Sequence, residues 1–156
     1  MRVQKTWNDN LNDVIRDVVF PDEEMKTLLM IPETDRNDIL KFIDKYFVKN
    51  VISDEIVTDE NVRICYYEQE GVLLGMNCSI RYLYFDIYVK NEHLHDYGDD
   101  LLAARTELIA QKLKELLTTD KYVCRINFSY RGGWDMYCKT VGYKRYTVVF
   151  SYKTTW

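Results

Sequence analysis

The stretch from residue 80 to residue 117 constrains this chain more than any other. It opens as Ile80-Arg-Tyr-Leu-Tyr-Phe-Asp-Ile-Tyr-Val-Lys90, in which Leu83, Phe85, Ile87 and Val89 are apolar while Tyr82, Tyr84, Asp86 and Tyr88 are amphipathic or charged. Strict alternation of this kind is the mark of a strand with one buried face. The polar stretch His93-Leu-His-Asp-Tyr-Gly98 reads as a turn, after which Asp99 or Asp100 is placed to cap a helix over residues 101–117. The helix carries an apolar stripe of Leu102, Ile109, Leu113 and Leu116, flanked by Leu101, Leu108 and Leu117. Arg105, Glu107, Lys112, Lys114 and Glu115 fall mostly outside that stripe. A one-faced strand followed by a one-striped helix buries both surfaces by packing helix on sheet.

The rest of the chain supplies partners for that unit. Leu11, Val14, Ile15 and Val18 follow helical spacing, and the helix ends before Pro21 because proline disfavours helical geometry in the residue ahead of it. Pro21 with Asp22, Glu23 and Glu24 suits the start of a second, short helix that stops near Ile31-Pro32. A third helix is expected from Asp35 through Tyr46, with Ile39, Leu40, Ile43, Tyr46 and Phe47 inward. Residues 49–61 are polar and less regular. Val62, Ile64 and Tyr66 then alternate with Arg63, Cys65 and Tyr67 as a second strand. Residues 68–79 read as a hairpin connection holding Gly71 and Gly75, with Val72, Leu73, Leu74 and Met76 apolar where a loop is normally polar. Such residues either fold back over the core or are covered by another chain.

Beyond the main helix, alternation over Tyr122–Tyr130 predicts a third strand and Arg131-Gly132-Gly133 a turn. Residues 134–141 are ambiguous, and Gly142 suits a bulge or tight turn. A last strand from Tyr143 to Lys153 places Tyr146, Val148, Phe150 and Tyr152 on one face. The economical arrangement is an α+β fold: a mostly antiparallel sheet of about four strands, a main helix packed on one face, and extra N-terminal helices. One domain is expected over residues 1–156, helical over 1–48 and built of sheet and helix over 60–156.

Composition narrows the function. A net charge of −4 and a pI near 5.2 provide no overall basic field for a phosphate backbone. Thirteen tyrosines are more than a core needs, and tyrosine suits contact surfaces because it buries a ring while keeping a polar tip. Cys65, Cys78, Cys124 and Cys138 form no CxxC pair, so neither a zinc ribbon nor a redox motif is visible. No signal-peptide core opens the chain and no apolar run approaches a membrane span, so the reading is a cytoplasmic protein with reduced thiols that does not engage membranes.

His93 and His95, with Asp96 and Asp86 nearby, suggest a metal site only weakly: alternate turn residues point apart and no third ligand is specified. The cysteines sit among apolar neighbours as core fillers, and no nucleophile-elbow, phosphate-loop or dinucleotide motif occurs. No enzyme activity, metal or cofactor is expected. Tyr82, Tyr84 and Tyr88 share the second face of the central strand. Exposed, they are suited to stacking single-stranded bases, with Arg81, Lys90, Arg125, Arg145 and Lys153 as cations; covered, they belong to an interface. The acidic balance favours covering.

The segments Tyr84-Phe-Asp-Ile-Tyr-Val-Lys90, His93-Leu-His95, Ala104-Arg-Thr-Glu-Leu-Ile-Ala-Gln-Lys-Leu-Lys114 and Val141-Gly-Tyr-Lys-Arg-Tyr-Thr-Val-Val-Phe150 together resemble the neck proteins of tailed bacteriophages. The likeness is greatest to tail-terminator and tail-completion (head–tail joining) proteins, and it covers residues 40–155; the helices before residue 35 depart from it. The resemblance implies a non-enzymatic ring, typically a hexamer, in the virion neck, assembled in the host cytoplasm. Its partners would be further copies of itself, the tail tube protein and the head–tail connector. DNA would pass through without sequence-specific binding, and an acidic lumen would let it slide. Candidate interface residues are Val72, Leu73, Leu74 and Met76 in the hairpin connection and Tyr82, Tyr84 and Tyr88 on the sheet.

Overall fold

A computed structural model describes residues 7–49, 60–97 and 103–155. Five strands form one sheet in the order β1-β2-β3-β5-β4: β1 (Phe47–Lys49), β2 (Val62–Gly75), β3 (Cys78–Lys90), β4 (Ser129–Met136) and β5 (Tyr143–Thr155). β1 runs parallel to β2 and the other pairings are antiparallel. The sheet is therefore mixed, with one strand more than expected. The additional strand is only three residues long and follows a helix directly, too short for any alternation to register.

β3 lies at the centre, paired along its length with β2 and β5. Leu83, Phe85, Ile87 and Val89 are fully buried, as the alternation requires. Opposite them stand Ile64 and Tyr66 on β2 and Val148 and Phe150 on β5. Aromatic rings knit this face: Phe85 meets Phe47 and Phe150 edge-on, each at 5.8 Å, and Phe128 meets Tyr152 at 5.5 Å.

The helices form a second layer on this face. α1 (Trp7–Val14) continues into a π-helical turn (Ile15–Val19) closed by Phe20 N–H donating to Ile15 O at 2.9 Å. Leu11, Val14, Ile15 and Val19 are buried, whereas Val18 is only half-buried. α2 (Glu23–Leu28) is capped by Asp22, whose Oδ1 accepts from Met25 N–H at 2.9 Å. The expected third helix is broken into a 3-10 turn (Glu33–Asp35), α3 (Ile39–Lys41) and a π turn (Phe42–Tyr46). That break reassigns its inner side: Phe42 is 1% exposed, while Leu40 is 71% and Ile43 43% exposed.

α4 (Arg105–Thr118) packs on β3 and β5 through Ile109, Leu113 and Leu117, all fully buried. Burial of each is worth about 1.5–3 kcal/mol. The helix starts later than expected, from Ala104 without a side-chain cap; the proposed caps Asp99 and Asp100, and Leu101 and Leu102, lie outside the described residues. Arg105 is 4% exposed, contrary to its placement outside the stripe. Its guanidinium donates to Leu28 O at 2.8 Å, to His93 O at 3.0 Å and to Asp96 Oδ1 at 2.8 Å, joining α4 to the end of α2 and to the segment after β3. Lys112 adds a second tie, with its Nζ 3.3 Å from Asp22 Oδ2 and 3.1 Å from Glu24 Oε2.

The strand expected over residues 122–130 is absent until Ser129. Cys124 (φ 48°) and Arg125 (φ 69°) are left-handed and fold Val123 back on Ile126, so the apparent alternation wraps a tight turn. The glycine pair expected to form the next turn instead lies inside β4. Gly132 sits at a bulge, and a Cβ on Gly133 would come within 2.6 Å of Tyr146 Oη, so a larger residue there requires the Tyr146 ring to shift. Of the irregular stretch 49–61, residues 50–59 lie outside the described residues.

Candidate assembly interface

Residues 68–79 are not a loop. β2 and β3 extend through them as a hairpin with Met76 and Asn77 at its tip. Gly71 allows the strands to meet closely, since a Cβ there would lie 2.6 Å from Ile80 O, and the register shifts just beyond it. The shift leaves four apolar side chains around Gly75 facing outward: Val72, Leu73, Leu74 and Met76 are 61%, 69%, 50% and 92% exposed. β1 pairs with β2 only as far as Tyr66, so the outer backbone edge of β2 from Tyr67 to Gly75 carries no strand among the described residues. An open edge beside exposed apolar side chains is a template for a second chain.

The second proposed patch divides in two. Tyr82 and Tyr84 remain partly exposed on the outer face of the sheet, with Tyr84 stacked on Tyr67 at a 5.1 Å ring separation. Tyr88 does not belong with them. It is 1% exposed and packs with Cys65, Tyr143 and Cys138, with the Arg145 guanidinium 5.7 Å from its ring. The reason is local: the Tyr143 side chain, whose Oη donates to Glu60 O at 2.6 Å, packs against Tyr88 and Cys65 at this end of the face. Burial pushes the Cys65 thiol up to about 11.

A third patch gave no signal in the sequence. At the opposite edge of the sheet, Trp134 and Met136 on β4 are 45% and 38% exposed, and Tyr137 and Val141 just beyond are 79% and 95% exposed. Their stretch reads as irregular because Gly132, Gly133 and Gly142 interrupt the period. The two apolar edges, the β2–β3 hairpin and β4, thus lie on opposite sides of one sheet.

The imidazoles make no joint site: His93 Nδ1 lies 2.7 Å from Asp96 Oδ2, and His95 is exposed. Bonds from His93 and Arg105 hold the Asp96 carboxyl below its ordinary value. Among the described residues no three His, Cys, Asp or Glu side chains gather as metal ligands, and no helix is long and apolar enough to cross a membrane.

One protein-family model, YomW, matches residues 22–152, from the cap of α2 to the last third of β5. No curated protein matches the chain.

Proposed function

We propose that this chain, which belongs to the YomW family, is a structural protein of a tailed-phage neck that forms a ring closing the tail tube and joining it to the head connector. Family membership supports the phage association. The observation that carries the ring is the pair of different apolar edges at opposite sides of the sheet. A patch that meets a different patch on the next copy gives a head-to-tail contact, which closes into a ring when the rotation allows. Four apolar side chains on the hairpin offer about 1.5–3 kcal/mol each when buried. That range is comparable to the roughly 4–15 kcal/mol that association costs. The ring is accordingly weak in dilute solution and assembles on the tail end, where a hexamer would match the expected neighbours. The role needs no catalysis, metal or cofactor.

Deletion of the gene from its phage tests the reading. Lysates viewed by electron microscopy are expected to hold filled heads and finished tails that have not joined. Normal joining in the deletion strain would overturn the neck role.

A further inference from the structure

At the end of the sheet's outer face beside the hairpin, a cleft of about 570 Å³ opens between β5, β4 and the turn that precedes β4. Its volume lies within the range of ligand clefts, about 300–1,000 Å³. Four cations line it, Lys121, Arg125, Arg131 and Lys153, and no carboxylate does. This is unexpected in a chain of net charge −4, whose surface cations elsewhere commonly pair with acids, as Arg16, Lys41 and Lys112 do. None of the four makes an ion pair among the described residues. Arg131 is held in place by donating from Nε to Ser151 Oγ at 2.7 Å, and Ser151 is buried. Arg125 stands at the end of the left-handed turn, with its side chain exposed. Arg131 is therefore positioned rather than trailing in solvent.

We infer that this cleft binds the phosphodiester backbone of nucleic acid. Guanidinium groups suit phosphate because their fork of donors matches its oxygens, and the two lysines add point charge. Aromatic surface lies within one strand of the cations. Tyr122, 60% exposed, lines the cleft, and Tyr82 stands opposite Ser151 in the register of β3 and β5. Cations tracking a backbone with rings to receive the bases is the arrangement that holds a single strand. The inference goes beyond the neck assignment and does not depend on it: a chain with no part in a neck would bind through the same cleft.

The test uses the full chain and fluorescence anisotropy with labelled oligothymidylate, with a duplex of the same length, and with inorganic phosphate and polyglutamate as competitors. The Lys121→Glu/Lys153→Glu variant removes two of the four cations, and Lys45→Glu, on the helical layer, is the control. The expected result is binding at low salt that the double variant weakens by about tenfold or more while the control leaves it unchanged. The salt dependence should also become shallower, by about 0.7 in log–log slope for each lost phosphate contact to a single strand. Tighter binding of the single strand than of the duplex assigns the rings a part; equal binding assigns the backbone alone, and both support the cleft. Absence of binding, equal binding by the double variant, or displacement as effective by polyglutamate as by unlabelled oligonucleotide would overturn the proposal. Unchanged circular dichroism of the double variant separates a lost site from a lost fold.

Discussion

Arg145 donates from Nη2 to Asp86 Oδ2 at 3.0 Å across the middle of the sheet's outer face, while Thr147 Oγ1 donates to Oδ1 of the same carboxylate at 2.6 Å. Asp86 is 2% exposed and the Arg145 side chain 13%. A carboxylate on the central strand is tolerated because β5 brings both partners into register with it, Thr147 directly opposite. Removing one member of a buried pair leaves the other charged and unmatched. Asp86→Ala is expected to cost about 3–5 kcal/mol in urea denaturation. A loss below about 1 kcal/mol would show that the pair is solvated rather than buried.

Packing of α4 is tested by contrast. Leu113 is fully buried against the sheet, and its replacement by alanine is expected to cost about 2–5 kcal/mol. Leu40, which helical spacing alone would place inward, is 71% exposed, and Leu40→Ala should stay within about 0.5 kcal/mol. Equal costs at the two sites would contradict the break between α3 and its π turn.

Glu68 predicts a pH dependence. Its Oε1 accepts from Tyr152 Oη at 2.6 Å, while Oε2 is buried without a hydrogen-bond partner. Burial raises the Glu68 carboxyl above its ordinary value of 4.5, and the Tyr152 bond offsets this only in part. A carboxyl raised in the folded state stabilises the protein fully below the unfolded value, and that contribution is lost as pH rises through the folded value. Glu68→Gln should therefore match wild type in mild acid and exceed it at neutral pH. Thermal unfolding across that window checks the sign, and a variant less stable at neutral pH than in acid, relative to wild type, would reverse it.

The thiols should separate kinetically. Cys65, 2% exposed and with its pKa pushed up to about 11, should resist alkylation until the fold opens, whereas the half-buried Cys78 at the hairpin should be modified in the native protein. Mass spectrometry of time-quenched samples reads the order, and native labelling of Cys65 as fast as Cys78 would place it at the surface.

The central strand and the main helix were legible because their burial is one-sided and regular: Leu83 to Val89 repeats every two residues, and Ile109, Leu113 and Leu117 repeat every four. Periodicity misplaces Arg105 because it cannot show that a guanidinium will find three acceptors on two separate segments. β4 was missed because a bulge and two glycines hide a strand whose pairing with β5 is decided by tertiary contacts. In the candidate interface, the apolar run Val72 to Met76 was legible as an anomaly, although its form, a strand hairpin rather than a loop, was not. Tyr88 shares its alternation with Tyr82 and Tyr84, and only Tyr143 arriving from β5 distinguishes it.

The β2–β3 hairpin tip as the joining surface of a neck ring is tested most directly by electron microscopy of lysates in which the gene is complemented by the Leu73→Asp/Leu74→Asp variant. Both side chains are exposed in the monomer, at 69% and 50%, so the variant should keep its fold by circular dichroism. The account predicts separate heads and tails with loss of infectivity. Joined, infectious particles from the double variant would contradict it.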